Sequence, residues 1–399
     1  MRLPAIVLNF KVYPESLGKR GWELAKVCAK VAEDTGASIV IAPPLTDLAH
    51  VARLVHIPVF GQHADTAETG AHTGWIPPEA LLEAGAAGTL VNHSERKVPH
   101  KNVEAITVAV PNFLHHDVAL AAIRAGKHVA VEKPLAITLD EADEMIREAR
   151  KVGIVDMYTE NLCFAPSYRT AKEIVDKGGL GRVYLCKAYE SDDIVRGSEA
   201  ERNVMKSSWY LDPILSGGGK LMSTGVHAVE FVRFMLDHPK ALRVHAEIID
   251  SIGLQKPKRM EDMALVTIRF EGDRVGEVHT GFYMTGGTDD RAEIYGDQGT
   301  IFLDLYRRNE IKVHSHVGYG SVGQSMFQPS EGHDLGWSFP IPDERYDLGY
   351  YHEQRHFLQC VLDGKRPKVN FNDGRATLEI VLAAYKSHDL GETVTLPLQ

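Results

Sequence analysis

Glu132, Lys133 and Pro134 close a short apolar run, "HVAVEKP", and so stand at the end of a predicted strand. An ammonium in that position can donate to a hydroxyl and steady the negative charge that grows on its oxygen. Gly217, Gly218 and Gly219 open "GGGKLMSTGVHAVEF", and His227 follows eight positions after the last of them. Glycines there permit close backbone approach to a ligand. If "LMSTGVHAVEFVRFML" is helical, Ser223, His227 and Glu230 share one face. His227 is then placed as a general base, because imidazole titrates near neutrality. A third set lies far upstream, where Asn9 and Lys11 end the first predicted strand and His93 ends the fourth. An amide, an ammonium and an imidazole at C-terminal strand ends suit an anionic carbonyl compound, with Lys11 balancing charge and His93 polarising the carbonyl. The same residues also fit plainer roles. Asn9, Lys11 and Lys133 read equally as surface positions, His93 as a helix cap and His227 as a helix-packing side chain.

The elements that must position these groups follow a regular rhythm over the first 160 or so residues. The runs "AIVLNF", "SIVIAPP", "IPVFGQH" and "GTLVNH" read as buried strands. Between them "SLGKRGWELAKVCAKVAEDTG", "TDLAHVARLV" and "PEALLEAG" read as helices, the second capped by Thr46 or Asp47. The pattern continues through the strands "AITVAV", "HVAVEKP" and "IVDMYTEN" and the helices "FLHHDVALAAIRAG" and "TLDEADEMIREARKVG", with Thr138 as a cap. Apolar strands alternating with amphipathic helices imply parallel strands. Beyond about residue 165 the strands "GRVYLCKAYES", "LRVHAEIID", "MALVTIRFEG" and "RVGEVHTGFY" imply a mostly antiparallel sheet, closed by two C-terminal helices. The predicted class is α/β followed by α+β.

Composition narrows the partners. With 44% hydrophobic and 25% charged residues and a formal net charge of −10, the chain has the balance of a soluble protein. No run of Lys or Arg points to nucleic acid or an anionic membrane. The N-terminus does not read as a signal peptide, and no stretch approaches the ~20 apolar residues that span a bilayer. Cys28, Cys163, Cys186 and Cys360 have no metal-binding spacing and read as small buried hydrophobes, so a cytoplasmic setting is expected and no metal. Gly318 to Gly323, "GYGSVG", match GxGxxG, but "QSMFQPSEG" after them carries no helical pattern; they are not read as a phosphate loop.

Two resemblances meet near residue 100. "LNFKVY" and "GQHADTAETGAHTGWIPPEALLEAGAAGTLVNHSER" resemble the archaeal form of triosephosphate isomerase over residues 1–97. That resemblance implies half of a TIM barrel, Asn9, Lys11 and His93 as substrate-binding residues with His93 the electrophile, Glu95 supporting the lysine, and "ADTAETGAHTGW" as a subunit-contact loop. The family's later glutamate base, closing lid and phosphate site find no counterpart after Arg96, so the segment is expected to be an inactive fragment.

From about residue 103 to the end the chain resembles the Gfo/Idh/MocA family of NAD(P)-dependent sugar and cyclitol oxidoreductases. The carrying motifs are "VAVPNFLHHDVALAAIRAGKHVAVEKPLA", "MYTENLCFAP", "GGLGRV", "WYLDPILSGGGKLMSTGVHAVEF" and "DERYDLGYYHEQRHFLQCVLDGKRP". This resemblance implies Lys133 and His227 as catalytic residues, Asn112, Glu132 and Pro134 at the nicotinamide, and Gly219 and Ser223 at the substrate. Many members carry Asp where Ser223 stands, and a serine cannot supply that carboxylate. The glycine-rich pyrophosphate turn that opens such a domain has no counterpart upstream. The expected organisation is therefore an isomerase-like (βα)4 fragment over 1–97, a partial Rossmann domain over 98–165, and a substrate and oligomerisation domain over 166–399. The expected protein is a homo-oligomeric oxidoreductase of a sugar or polyol with impaired NAD or NADP affinity. The alternatives are an isomerase or a non-catalytic sugar-binding or assembly module.

Overall fold

Short apolar runs separated by amphipathic stretches give the first unit its parallel pairing. The computed structural model describes residues 5–35, 38–65, 70–71, 74–90, 104–192, 209–250, 260–284, 288–305, 313–315, 336–338 and 344–398. The chain divides into two units, Met1–Glu104 and Ala105–Gln399.

In the first unit β1 (Ala5–Asn9) pairs in parallel with β2 (Ser38–Ala42), Ala5 opposite Ser38. A parallel bridge from Ile41 to Val59 leads to β3 (Phe60–Gly61), which pairs in parallel with β4 (Gly88–Thr89). Each strand thus lies beside its successor, with α1 (Gly18–Thr35), α2 (Leu45–Leu54) and α3 (Pro78–Glu83) between them in the chain. Helix α1 buries Gly21, Ala25, Cys28 and Ala29, positions that share one helical face. The unit's core adds Ile41, Leu48, Val51 and Leu81. Asp47 departs from expectation. Helix α2 starts after Pro44 without a side-chain cap, and the Asp47 carboxylate instead accepts from Gly18 N at 3.0 Å and Trp22 Nε1 at 2.9 Å. It therefore stabilises the positive end of the neighbouring helix α1.

Among the described residues the second unit holds two larger sheets and a two-stranded pair. Strands β5 (Ala105–Val108), β6 (His128–Glu132) and β7 (Asp156–Thr159) form a parallel sheet in that order. Helices α4 (His115–Arg124) and α5 (Leu139–Val152) connect them. Thr138 caps α5 as expected: it accepts from Glu141 N while the Glu141 side chain reaches back to the cap, and Gly153 ends the helix at φ 79°.

After α6 (Pro166–Asp176) come β8 (Val183–Ser191), the short α7 (Pro213–Ser216), α8 (Val226–Met235) and β9 (Ala241–Ile249). Strands β10 (Met263–Phe270), β11 (Arg274–Gly281), β12 (Asp289–Gly296) and β13 (Thr300–Asp304) follow. Strands β14 (Val313–Ser315) and β15 (Gly336–Ser338) pair with each other, and α9 (Glu344–Asp347), α10 (Tyr350–Asp363), α11 (Phe371–Leu390) and β16 (Val394–Thr395) close the chain. The large sheet runs β13-β12-β8-β11-β10-β9-β16. It is antiparallel except at its centre, where β8 and β11 pair in parallel. Alternate residues of β10 (Ala264, Val266, Ile268, Phe270) are buried, and one hydrophobic core joins this sheet, α8 and α11 to the parallel sheet. All four cysteines are buried thiols. No helix among the described residues is long and apolar enough to cross a membrane.

Candidate active site

Lys133 follows β6 directly and joins Pro134 through a cis peptide bond. Its Nζ donates to the backbone oxygen of Ser223 at 2.7 Å, across 90 residues of sequence. That oxygen belongs to a five-residue π-helical turn, Leu221–Gly225, which precedes α8. Such turns occur frequently at functional sites. Gly225 keeps the turn close to β11, because a Cβ there would meet Leu221 Cδ1 and Thr280 Cγ2 at 2.9 Å. Burial pushes the Lys133 ammonium down from its ordinary pKa, against the pull of the Glu132, Glu160 and Glu190 carboxylates.

His227 lies in the first turn of α8 and is only 8% exposed. Its Nδ1 is hydrogen-bonded to Oε1 of Glu160, the residue that follows β7. Burial, and next the Lys133 ammonium, push His227 down to about 3. Burial likewise raises Glu160 well above the usual carboxylate range, with Lys133 opposing and Glu230 and Glu132 reinforcing the rise. Beside this pair lies a second buried cation. Lys220, fully enclosed, donates to Asp192 Oδ2 at 2.7 Å and sits 5.1 Å above the Phe282 ring. Burial alone would lower its pKa, but Asp192, Tyr210 and Glu190 outweigh it and hold the ammonium. Ser223 Oγ accepts from Tyr210 Oη at 3.0 Å.

The remaining expected residues of this unit are close by in sequence but differently employed. Asn112 is buried and its Nδ2 donates to Ser216 O at 2.8 Å. Glu132 Oε2 accepts from Lys133 N at 3.3 Å. The Pro134 carbonyl meets His115 Nδ1 at 2.7 Å. The glycines make close approaches to protein. A Cβ on Gly217 would lie 2.9 Å from Ile137 Cγ2, on Gly218 2.2 Å from Tyr385 Oη, and on Gly219 2.4 Å from Glu261 O. Gly219 N also donates to both oxygens of Glu261, at 2.9 and 2.8 Å. Their smallness is thus used for packing. Glu230 binds Arg233, Thr377 and His238, the last at 2.7 Å.

In the first unit, Asn9 Oδ1 accepts from Lys11 N at 2.9 Å and from Gln62 Nε2 at 3.2 Å. Gln62 Nε2 also reaches Lys11 O at 2.9 Å and Ala42 O at 3.0 Å. Lys11 has φ 57°, a left-handed conformation uncommon for a residue with a Cβ and a local strain that clusters at functional sites. His93, Glu95 and Gly318–Gly323 lie outside the described residues.

Sequence reasoning missed Glu160, Glu190, Asp192 and Lys220. One signal was present for the first of them. Glu160 stands after β7 as Lys133 stands after β6, and ends of parallel strands collect site residues.

Comparison with known proteins places both segments. The family described as "GFO/IDH/MocA C-terminal domain" matches residues 168–302, and "Triosephosphate isomerase" matches residues 4–120, past the expected limit of 97. The triosephosphate isomerase of Methanocaldococcus jannaschii is 40% identical over 219 residues, covering 50% of this chain and 98% of that enzyme. The scyllo-inositol 2-dehydrogenase (NAD(+)) of Bacillus subtilis is 27% identical over 300 residues, covering 74% of this chain and 79% of that one. Among solved structures, GenD2 from gentamicin A biosynthesis in complex with NAD superposes with a TM-score of 0.67 at 22% identity, covering 99% of this chain and 96% of that one, a likeness of fold. The chain is a fusion: it belongs to the triosephosphate isomerase family through its N-terminal segment, and the later part is similar to the Gfo/Idh/MocA oxidoreductases, whose C-terminal domain it matches over residues 168–302.

Proposed function

We propose that the protein is an NAD(P)-dependent oxidoreductase of a sugar or polyol hydroxyl, weakened in cofactor affinity by the replaced front of its nucleotide-binding domain. The observation that carries this reading is the meeting of Lys133, at the end of a parallel strand, with the turn that leads into buried His227. The relatives named for NAD and for inositol support it.

The side chains present fit one end of a dinucleotide. Asn112, Glu132 and Pro134 gather after β5 and β6, where a nicotinamide and its ribose would be held. Bound NAD(P) supplies the hydride acceptor. Lys133 donates to the reacting hydroxyl oxygen and steadies its developing charge. His227, held at Nδ1, takes the hydroxyl proton at Nε2, so the alcohol leaves as a carbonyl compound with its proton on the imidazole. Ser223 and Gly219 border the substrate. Among the described residues no glycine-rich turn leads from a strand into a helix to receive the pyrophosphate. Loss of two or three charge-assisted hydrogen bonds, at about 1.5–3 kcal/mol each, weakens binding by several orders of magnitude.

In this reading residues 98–165 are the remnant of the dinucleotide-binding domain and 166–399 the substrate and oligomerisation domain of a homo-oligomer. Residues 1–97 are half of a TIM barrel, with Asn9, Lys11 and His93 left as a substrate site that has no base. Titration of NADH and NADPH fluorescence against the purified protein tests the assignment, with binding in the high-micromolar range or weaker expected. Absence of any signal at millimolar cofactor overturns the oxidoreductase reading, and tight binding overturns the weakening. A coupled assay with glyceraldehyde 3-phosphate should give no turnover; turnover abolished by His93→Ala would restore the isomerase.

A further inference from the structure

Ser223 brings a hydroxyl and no carboxylate to the turn before His227, yet the imidazole meets a carboxyl group. We infer that Glu160, at the end of β7, is the positioning carboxylate of His227, replacing from another strand what position 223 cannot give. Four observations carry this. Glu160 is fully buried and meets Nδ1 of the ring with Oε1. Its other oxygen, Oε2, is buried without a hydrogen-bond partner among the described residues, so the imidazole is its side-chain anchor. The ring is 8% exposed, and Nε2 has no hydrogen-bond partner among the described residues. Ser223 itself is engaged by Tyr210 through Oγ and by Lys133 through its carbonyl.

A carboxylate on Nδ1–H fixes the tautomer in which Nε2 carries the lone pair, which is the form that accepts a proton. The charged surroundings of the pair come from several elements. Glu132 and Lys133 face it from β6, Glu190 from β8 and Lys220 from the turn before α8. Glu230 faces it from α8, Asp290 from β12 and Glu353 from α10. Burial acts on both partners, raising Glu160 and lowering His227, so the two titrate as one coupled pair. Base activity requires the deprotonated pair and rises with pH as the pair loses its proton.

The positioning itself does not depend on the dehydrogenase reading; only its kinetic consequence rests on it. Nitrogen-15 NMR of histidine-labelled protein, with the His227 signal assigned by its loss in His227→Asn, reads the tautomer directly. The wild-type ring should show a strongly deshielded Nδ1–H. Glu160→Gln should shift that signal upfield and Glu160→Asp should recover part of it, while the His115 and His238 signals report an intact fold. A wild-type ring protonated at Nε2 with a bare Nδ1 overturns the inference, as does a signal unmoved in Glu160→Gln. The wild-type measurement decides even if a variant fails to fold. With myo-inositol and NAD as probes, Glu160→Gln should lower kcat about 10²-fold with KM little changed and should displace the acid limb of the pH profile. An unchanged kcat and limb in a wild-type enzyme that turns over would overturn the inference. Failure of wild type to oxidise any polyol tells against the dehydrogenase reading and leaves the NMR result to judge Glu160.

Discussion

At the strand ends of the first unit, Asn9, Lys11 and Gln62 meet through backbone and amide groups. In the second, Lys133 and Glu160 follow parallel strands, and Glu190 on β8, Lys220 before α8 and His227 within α8 crowd further ionisable groups around them; three of the five are driven far from their ordinary titration. Both sets stand where parallel strands deliver ligand-facing residues. The difference teaches that strand-end placement is common, whereas burial of unlike charges in mutual contact is costly and persists where function repays it.

Removing one charge from the buried set should have the largest effect. Glu230 supports α8 through Arg233, His238 and Thr377. Burial pushes its carboxyl up, but Arg233 and His238 outweigh burial and hold it at about 2. Glu230→Gln leaves buried Arg233 with the more distant Asp373 carboxylate at 3.8 Å and should destabilise the protein by about 3 kcal/mol in urea unfolding. The folded pKa lies below the ordinary 4.5, so the unfolded chain binds the extra proton in that interval. The wild-type advantage should thus be complete above pH 4.5 and fade as pH falls toward 2, where the two unfolding curves converge. A gap that persists at the acid end would refute the pairing.

Next in size is the contrast between the two strand-end lysines. Lys133→Ala should lower polyol oxidation by about 10²-fold or more, the usual scale for a proton-transfer partner. Lys11→Ala should leave that rate unchanged. Equal losses from both substitutions, measured as NADH production, would erase the comparison.

The smallest effect belongs to the first unit. Asp47→Ala strands the Gly18 N–H and the Trp22 Nε1–H and should lower the stability of that unit by about 1–2 kcal/mol. Trp22 fluorescence during unfolding follows it, and a midpoint equal to wild type would mean that water replaces the carboxylate without loss.

The sequence was most legible where the physics is local. Thr138 and Glu141 are three residues apart, and their reciprocal cap follows from that spacing. The strand and helix rhythm was equally plain, because periodicity reports burial of one face. Legibility failed with distance. Asp47 has the type and place of a cap, yet its partners lie 29 and 25 residues earlier. Glu160 reads as the polar end of a strand, and its contact with His227 spans 67 residues that no local pattern encodes. The glycines read as places of close approach to a ligand, and the neighbours found against them are Ile137, Tyr385 and Glu261. Lys220 was passed over because a fully buried lysine is rare enough that surface placement is the default expectation.

The π-helical turn at Leu221–Gly225 also sets how this segment tolerates change in length. A turn of this kind holds one residue more than the α-helical turn it replaces. Deleting a single residue within it lets the helix close regularly and rotates everything upstream by about 100° relative to α8. Ser223 would swing away from Lys133, and the glycines from Glu261, although every side chain of the site were kept. Substitutions here act one group at a time, whereas a one-codon deletion would uncouple the lysine from the histidine in a single step, so alignment gaps across these five positions are a sharper diagnostic of lost activity than any residue identity within them.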